Sequence, residues 1–329
     1  MKHINVSLFV PHLGCKNSCI FCNQKIISGK TRLLTPEDIT EACEIALKGN
    51  YDINDSEIAF FGGSFTAIDR QLMISYLETA KPYVGKHFAG IRISTRPDCI
   101  DEEVLGILKS YGVTAIELGA QSMCADVLEA NERGHTSEDT EKACLLIKKY
   151  GFSLGLQMMT DLYGSDYDKD IYTAEKFIEL KPDTVRIYPT AVLENTKLHR
   201  LYNEGKYIPS TTEDAVKKCA RLLMMFNENN IKVIRTGLHS GGNVEEGFVA
   251  GVYHPAFREL CEAEIYKNLI SQKLKGLPDG NYEIAVNDRE ISKATGQKKS
   301  NIRFFEKDGK NIKITGDSSL TQYNVLLKA

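Results

Sequence analysis

The sequence contains no tryptophan and no uninterrupted apolar run longer than five residues. A membrane-spanning helix needs about 20 such residues and the core of a signal peptide about 7–15, so the chain is predicted neither to cross a membrane nor to be secreted. A large excess of one charge is also absent, because 41 Lys and Arg face 44 Asp and Glu. This balance excludes attraction to nucleic acid spread over the whole surface, and any such binding must be local.

A disulfide framework is also excluded. The nine cysteines are odd in number and irregularly spaced in a chain of 329 residues, whereas disulfide scaffolds are small and dense in cysteine. Reduced thiols and a cytoplasmic location are therefore predicted. Six cysteines show no paired spacing, which favours small core residues over the ligands of an auxiliary cluster. They are Cys43, Cys99, Cys124, Cys144, Cys219 and Cys261.

Short β-rich runs alternate with helical patterns up to about residue 235, which is typical of parallel βαβ units. The predicted strands are Asn5 to Val10, Glu57 to Phe61, Gly90 to Thr95, Ala115 to Leu118, Ser153 to Met158, Thr184 to Tyr188 and Lys232 to Arg235. Helices are predicted to begin at Thr35 and Asp101, and to end at Gly112 and Gly151. The six or seven units are expected to form a partial or near-complete (β/α) barrel of the TIM type, with a small C-terminal α+β appendage.

Three segments are predicted along the chain. They are a barrel at residues 1–240, a connecting helical segment at 241–277 and a small α+β domain at 278–329. From Lys273 to Ala329 the chain has 11 basic and 7 acidic residues, a net charge of +4.

The last segment reads as strand, helix, basic turn, helix, strand, with the turn at Gly296 to Asn301. This order loosely resembles half of a KH RNA-binding unit, whose loop clamps a nucleotide backbone. Lys299 stands where that loop has its second glycine. The alternative is a structural appendage with a solvated basic face.

Cys15, Cys19 and Cys22 follow the first predicted strand with the spacing C-x3-C-x2-C. Ligands of α/β barrels gather at the carboxyl ends of the strands, which is where this loop lies. Three thiolates can hold three irons of a four-iron cluster and leave the fourth iron open. A structural zinc site would need a fourth ligand, for which His12 is the nearby candidate, and an inert cysteine-rich loop is the third reading.

The segment Cys15 to Cys22, with an aromatic residue before its last cysteine, resembles the cysteine motif of radical SAM enzymes. Gly62-Gly63-Ser64, after the second strand, stands in the place of that family's Gly-Gly-Glu-like motif, which contacts the methionine amino group. The resemblance implies a 4Fe-4S cluster on the three cysteines and S-adenosyl-L-methionine (SAM) on the open iron. It further implies reductive cleavage of SAM to a 5′-deoxyadenosyl radical, and an electron donor of the flavodoxin or ferredoxin type.

Four further strings resemble the radical SAM domain of the Elongator catalytic subunit, over roughly residues 5 to 240. They are Ser94 to Asp98, Glu117 to Ser122, Asn131 to Thr136 and Arg186 to Thr190. The chain departs from that subunit in the spacing of its first two cysteines, and about 90 residues follow the barrel without an acetyl-CoA turn. The expectation is a short bacterial Elongator-like protein without the acetyltransferase domain, to which the acetyl chemistry is not transferred.

The resemblance also assigns SAM contacts. Glycines at 62 and 63 are expected to let the backbone approach the ligand closely. Glu117, Gln121 and Gln157 are expected to hold the ribose or the methionine moiety, the alternative being interior polar groups satisfied by their neighbours. Arg96 is expected to pair either with the SAM carboxylate or with an interior acid such as Glu117.

Other polar residues receive weaker assignments. His135 is expected to be structural, through capping or packing. Four residues are expected to shape the substrate side of the barrel: Tyr188, His239, Tyr253 and His254. No catalytic residue is assigned.

The leading hypothesis is a radical SAM enzyme that acts on an unidentified substrate, with RNA as the candidate. One alternative is an enzyme like coproporphyrinogen oxidase, whose family shares the C-x3-C-x2-C spacing. Another is a non-catalytic iron-sulfur protein that binds or senses RNA. The turn at Gly62 favours an enzyme, because a structural cluster has no use for a methionine-binding turn.

Overall fold

Parallel strands connected by helices dominate the chain. The computed structural model describes residues 4–10, 13–15, 19–29, 32–49, 52, 56–238 and 243–328. Its strands are β1 (Asn5–Val10), β2 (Glu57–Gly62), β3 (Gly90–Thr95), β4 (Val113–Gln121), β5 (Ser153–Thr160), β6 (Thr184–Pro189), β7 (Ala191–Leu193), β8 (Lys232–Thr236), β9 (Phe248–Gly251), β10 (Gly280–Val286), β11 (Lys310–Gly316) and β12 (Leu326–Lys328). Its α-helices are α1 (Gln24–Ser28), α2 (Pro36–Leu47), α3 (Arg70–Ala80), α4 (Glu102–Ser110), α5 (Ala125–Ala130), α6 (Ser137–Lys149), α7 (Tyr167–Leu180), α8 (Lys197–Asn203), α9 (Thr212–Glu228), α10 (Val244–Gly247), α11 (Phe257–Lys273), α12 (Ile291–Thr295) and α13 (Ser300–Lys307). None of these helices is long and apolar enough to span a bilayer.

One sheet contains β1, β2, β3, β4, β5, β6 and β8 in that order, with every neighbouring pair parallel. Within the described residues the two edge strands, β1 and β8, share no ladder, so the sheet is a curled half-barrel. The predicted partial TIM-type barrel is confirmed. Because the strands are parallel, their carboxyl ends meet at one edge, which we call the mouth.

All seven predicted strands of the barrel are confirmed, with the largest difference at β4. This strand was predicted for Ala115 to Leu118 but runs from Val113 to Gln121. Its ladder with β5 breaks after Leu118 and resumes where Gln121 lies opposite Met158. The added residues include a glycine and a glutamine of low β-propensity, so pairing with the neighbouring strand extends β4 beyond its local signal.

The predicted helix signals are also confirmed. Thr35 caps α2 in a capping box with Asp38, and the Asp101 carboxylate accepts a hydrogen bond from the Val104 N–H at the start of α4. Each cap satisfies N–H groups that have no partner within the helix. These ends set the lengths of the crossovers and therefore the places where the strands re-enter the sheet.

Alternation along β6 shows how the half-barrel is built. Val185 and Ile187 are fully buried in the apolar core, whereas Arg186 and Tyr188, on the opposite face, are partly buried. Side chains of a strand alternate between its two faces, so β6 packs one face against helices and turns polar groups into the lumen. The lumen is therefore lined by groups that can bind a polar ligand.

The residues after α11 form a small unit, which we call the C-terminal unit (residues 278–328). In it β10 pairs with β11 in parallel and with β12 antiparallel, so the predicted appendage is confirmed and gains a third strand. The unit packs on α11: the Asn301 side chain donates to the Ala263 carbonyl at 2.8 Å, and the Tyr266 hydroxyl accepts from the Tyr323 N–H at 3.1 Å. Its buried apolar residues continue the core of the barrel.

A ribbon of two short antiparallel strands, β7 and β9, was not predicted. Each strand has four residues or fewer, and its partner lies more than 50 residues away along the chain. Strands this short carry no periodic pattern of their own, so only the tertiary contact identifies them. The ribbon lies in what was predicted to be the end of the barrel and the connecting helical segment.

Candidate active site

The three-cysteine loop follows β1 at the mouth. Cys15 is exposed, while Cys19 and Cys22 are half-buried. A 3.0 Å hydrogen bond from the Cys22 N–H to the Cys19 carbonyl turns the chain between these two residues. His12, the candidate fourth zinc ligand, lies outside the described residues, as do residues 16–18 of the loop. The loop thus presents its thiols at the edge where βα barrels bind ligands.

Ile20 anchors this loop. Its side chain is 3% exposed and packs with Val192, Leu198 and Tyr207 in a small apolar cluster beside the ribbon. Its N–H donates to the Asn131 carbonyl at 3.3 Å, and its carbonyl accepts from the Leu198 N–H at 2.8 Å. Because β7 contributes Val192 to this cluster, the ribbon missed by sequence analysis helps to hold the cysteines in place.

The turn after β2 is the second support of the loop. The Gly63 N–H donates to the Val10 carbonyl at 2.8 Å, and the Ser64 N–H donates to the Leu13 carbonyl at 3.1 Å. A Cβ on Gly63 would lie 2.1 Å from the Leu13 oxygen, and a Cβ on Gly14 would lie 2.2 Å from the Ser64 oxygen. The glycines were expected to admit a ligand, but the close approach that the structure establishes is between the turn and the cysteine loop.

Two side chains donate N–H groups to the thiol sulfurs. Arg133 Nη1 lies 2.9 Å from Cys19 Sγ, and Nη2 donates to the Gly119 carbonyl at 2.5 Å. Gln24 Nε2 lies 3.5 Å from Cys15 Sγ and 3.4 Å from the Gly62 carbonyl oxygen. Such donors stabilise thiolate sulfur and tune iron-sulfur sites.

No role was predicted for either of these two donors. Arg133 lies in the Elongator-like string from Asn131 to Thr136, which could have signalled it, whereas Gln24 carried no signal beyond its position two residues after Cys22. Arg133 is 7% exposed, and within the described residues no carboxylate forms an ion pair with it. A buried cation needs a counter-charge, and thiolates beside it can supply one.

The thiols of Cys15 and Cys22 keep their protons at neutral pH when no metal is bound. Burial and, to a smaller extent, the neighbouring thiols raise the pKa of Cys22 to about 12. Desolvation of the sulfur also raises the pKa of Cys15, although the residue as a whole is exposed, and Cys19 adds to the effect. Iron or another metal must therefore displace protons from the loop when it binds, so assembly of a metal site here releases protons.

The donor set fits a four-iron cluster. Among the described residues, no group of three or more His, Cys, Asp or Glu side chains converges on a position for one metal ion. A four-iron cluster places each cysteine on a different iron, so its thiolates do not need to converge. The described part of the chain supplies three thiols and two N–H donors, which fits a cluster with one open iron.

Ser64 and Arg96 connect the turn to the end of β3. The Ser64 hydroxyl hydrogen-bonds with the Thr95 hydroxyl at 2.8 Å and accepts from the Arg96 N–H at 3.2 Å. The Arg96 guanidinium pairs with Asp98 at 2.8 and 3.1 Å. Glu117, the alternative partner expected for Arg96 inside the barrel, is thus not its partner, because the guanidinium pairs with Asp98.

Glu117 lies in the lumen, 1% exposed, within a network of charges. Arg186 donates to its carboxylate at 2.6 and 2.9 Å, Arg92 at 3.3 Å and the Gln157 amide at 3.0 Å. Arg92 is shared with Glu57 at 2.7 Å. The charges of two carboxylates and two guanidinium groups balance in this network. The contacts of Glu117 and Gln157 therefore match the alternative interpretation, in which both are interior groups that hydrogen-bond to their neighbours.

Gln121 ends β4 at the mouth in an unusual conformation. Its φ is +69°, and the ladder with β5 shifts register just before it. Its Oε1 is buried and has no hydrogen-bond partner in the described part of the chain. The Ser94 hydroxyl, on the neighbouring strand, is buried and unpaired as well. Buried polar atoms without partners are rare, so the mouth has hydrogen-bonding capacity left for a ligand.

His135 is placed as a structural residue. Its Nε2 lies 3.2 Å from the Ala120 carbonyl oxygen. Burial and, to a smaller extent, the nearby Arg133 and Arg96 lower the pKa of His135 to about 4. The ring is therefore neutral at neutral pH, and Nε2 carries the proton that it donates to Ala120.

The remaining candidates are the residues that were expected to shape the substrate side of the barrel. Within the lumen Tyr188 is next to Arg186. The Tyr253 hydroxyl donates to Glu245 at 3.3 Å, and His254 Nδ1 accepts from the Ala256 N–H at 3.1 Å. His239 lies outside the described residues. Of the six cysteines predicted for the core, four are buried and two, Cys99 and Cys124, are half-buried.

Two protein-family models match the chain. The radical SAM superfamily model matches residues 9–172, and the model of the Radical_SAM C-terminal domain matches residues 182–267. A tRNA uridine(34) acetyltransferase of Methanocaldococcus jannaschii is 32% identical over 191 residues, which are 52% of this chain and 35% of that protein. Elongator complex protein 3 of Homo sapiens is 28% identical over 196 residues, 53% of this chain and 36% of that protein. The chain thus spans about a third of the length of these relatives.

A solved structure supports the fold. The archaeal Elp3 of Methanocaldococcus infernus, lacking its N-terminus, matches with a TM-score of 0.64 at 21% identity, over 83% of this chain and 64% of that chain. Enzymes of the matched family hold a 4Fe-4S cluster and use SAM. With three cysteines at the mouth of a parallel half-barrel and family models matching most of its length, the chain belongs to the radical SAM superfamily and is Elongator-like within it.

Proposed function

We propose that the protein cleaves SAM reductively at a 4Fe-4S cluster on Cys15, Cys19 and Cys22, and that it acts on RNA. The observation that carries the SAM part is the three-cysteine loop, which is seated on the Gly62-Gly63-Ser64 turn. The RNA part is supported by the alignment of the barrel with a protein named as a tRNA-modifying enzyme.

Residues of the chain around the cysteine loop have separate proposed roles. When bound, the cluster supplies the electron that breaks a carbon–sulfur bond of SAM. Arg133 and Gln24 donate N–H groups to the sulfurs of Cys19 and Cys15, and so hold the loop in one geometry. Gln121, with its unpaired Oε1, is proposed to accept a hydrogen bond from SAM. The exposed Cys15 side of the loop is where an electron donor of the flavodoxin or ferredoxin type is proposed to approach.

The other SAM contacts are proposed in revised form. Gly62, Gly63 and Ser64 act first as the seat of the loop, and their backbone is the part available to SAM. The carboxylate of Glu117 is occupied by two arginines and Gln157, so it is proposed to position the lumen and not to bind the ribose directly.

An anaerobic experiment tests the SAM part. The purified protein is reconstituted with iron and sulfide, reduced with dithionite and supplied with SAM, and 5′-deoxyadenosine is measured. About four irons and four sulfides should bind, and 5′-deoxyadenosine should form. Cys15→Ala, Cys19→Ala and Cys22→Ala should each abolish both results, while Cys124→Ala, a half-buried cysteine outside the loop, should leave them unchanged. Tight binding of a single zinc without iron uptake would contradict the proposal.

The RNA part is tested by adding substrates to the active enzyme. Unmodified tRNA should increase the rate of 5′-deoxyadenosine formation, and deuterium carried on the RNA should appear in the product. Coproporphyrinogen III is the control substrate and should have no effect. SAM cleavage that responds to the porphyrinogen and not to tRNA would replace RNA by the alternative of the coproporphyrinogen oxidase type.

A further inference from the structure

An exposed basic stripe with an aromatic residue lies on α13. Lys299, just before the helix, Arg303 and Lys307 follow each other at intervals of four residues, and all three are exposed. Phe304, beside Arg303, is 47% exposed, more than any other phenylalanine of the described residues. Residues three or four apart neighbour each other on a helix, which places Lys307 beside both Arg303 and Phe304. We call these three side chains, together with Lys299 just before the helix, the α13 face.

A groove adjoins this surface. It has a volume of about 530 Å³ and lies between the end of α11 and α13. Leu274 and Phe305, both 2% exposed, line it together with Lys275, Phe304 and Lys307. A volume of this size is in the range in which proteins hold small organic groups. The groove therefore has room for a planar group beside the Phe304 ring.

The charges of the α13 face have no ion-pair partner in the part of the chain that the structure describes. Among the described residues, no carboxylate forms an ion pair with Lys275, Arg303 or Lys307. Like charges spaced four apart destabilise a helix, so an isolated stripe of this kind costs stability. An anionic partner along the stripe would remove that cost. The Phe304 ring lies under the ammonium of Lys267, 5.3 Å from the ring centroid, and contacts the Phe305 ring with centroids 5.0 Å apart, while 47% of the residue is exposed.

We infer that the α13 face binds single-stranded RNA, with a base stacked on Phe304 and phosphates held by Lys299, Arg303 and Lys307. Cations that follow a backbone, interleaved with an aromatic platform, are what single-stranded nucleic acids require. Outside Lys273 to Ala329 the chain has a net charge of −7, so the net charge of the rest of the chain does not favour binding of a polyanion. The inference rests on the RNA part of the proposed function and not on SAM cleavage.

The chain offers a matched control for the aromatic residue. Tyr172, on α7, is 43% exposed and has the ammonium of Lys176 5.7 Å from its ring centroid, like Phe304 with Lys267. Its lysine is paired with Glu179, and Tyr172 does not line the groove. Replacing either Phe304 or Tyr172 by alanine removes an exposed ring beneath a lysine. A difference in RNA binding between these two variants must therefore come from a specific role of the α13 face.

The experiment measures binding of a short single-stranded RNA containing 2-aminopurine to the full chain. Phe304→Ala should weaken binding about tenfold and remove the stacking-dependent quenching, while the dependence on salt stays the same. Phe304→Tyr should restore both signals, and Tyr172→Ala should bind like the wild type. Arg303→Gln with Lys307→Gln should flatten the slope of log K against log salt by about 0.7 for each lost contact.

Several results would overturn the inference. Equal affinities of Phe304→Ala and Tyr172→Ala would exclude stacking on this face, and an unchanged salt slope in the Arg303 and Lys307 variant would exclude its phosphate contacts. If those variants behave as wild type while tRNA still stimulates SAM cleavage, the inference fails and the proposed function stands. If the wild type binds anionic vesicles and no RNA, both RNA claims fail and SAM cleavage remains.

Discussion

The mouth and the α13 face both present positive charge beside a site for an anionic or sulfur-rich partner. At the mouth this charge is buried and hydrogen-bonded, whereas on the α13 face it is exposed. Arg133 is buried and forked between Cys19 and Gly119, whereas Arg303 and Lys307 are exposed and unpaired within the described residues. A buried cation is stable only with a fixed counter-charge, so it selects one geometry. Exposed cations keep their hydration and can follow a flexible chain. The mouth is thus built for one small group and the α13 face for a polymer.

At the mouth, the turn that seats the cysteine loop leaves no space for an added side chain. Gly63→Val should prevent the cysteine loop from seating, because even the Cβ would lie 2.1 Å from the Leu13 oxygen. Iron content after reconstitution should fall close to zero, and 5′-deoxyadenosine formation should be lost. Gly106→Val, in α4 where nothing lies within 4 Å of an added Cβ, is the matched control and should keep its iron. Full iron loading of Gly63→Val would show that the loop can move away from the turn.

Buried charge in the lumen should cost more to disturb than surface charge. Glu117→Gln leaves Arg186 and Arg92 without their shared carboxylate, and breaking a buried pair from one side should lower the free energy of unfolding by about 3 kcal/mol. Urea unfolding measures this change. Glu102→Gln, which breaks the exposed pair with Lys149, should have almost no effect. Similar values for both variants would mean that the lumen is solvated.

The counter-charge role of Arg133 can be separated from a packing role by potentiometry. Arg133→Met removes the N–H group 2.9 Å from Cys19 Sγ and a buried positive charge, so the reduced, more negative cluster loses stabilisation. The reduction potential should fall by roughly 60–130 mV, the equivalent of one charge-assisted hydrogen bond. Arg133→Lys keeps the charge and should shift the potential less. A potential that stays the same in both variants would assign Arg133 to packing alone.

On the basic turn, charge and not geometry should decide binding. Lys298→Glu with Lys299→Glu should weaken RNA binding and flatten the slope of log K against log salt by about 0.7–1.4, while SAM cleavage without RNA stays unchanged. A variant with the same change in net charge, Lys142→Glu in α6 with Lys181→Glu just after α7, is the control. If both variants weaken binding equally, the attraction is a property of the net charge and not of the turn.

The smallest effect concerns the backbone of that turn. Lys299 has a φ of +61°, a conformation that costs an L-residue about 1–2 kcal/mol and glycine almost nothing. Lys299→Gly should therefore raise the free energy of unfolding by about 1 kcal/mol while removing one phosphate contact. Urea unfolding checks the first effect. A loss of stability would mean that the lysine side chain makes a contact worth more than the strain.

Much of the barrel was predictable because its signals are local. The capping box at Thr35, the cap at Asp101 and the β-rich run of each strand lie within a few consecutive residues, and all were confirmed. The ribbon and the extension of β4 to Gln121 were missed, since short strands and register shifts depend on the partner strand. The partners of Glu117, Arg186 and Arg92, come from other strands and were not predicted, and its role toward SAM stays a prediction.

The sequence by itself determined the order of βα units, the spacing of three cysteines and the Gly-Gly-Ser turn after the second strand, because each of these is a short pattern. Only the tertiary structure decided what these patterns contact. Arg133 meets Cys19 across 114 residues, and Arg186 meets Glu117 across 69. Parallel strands require long crossovers, so every pair of neighbours in the sheet is distant in the chain. The counter-charge of the thiols and the partners of the buried acid therefore exist only in the folded half-barrel.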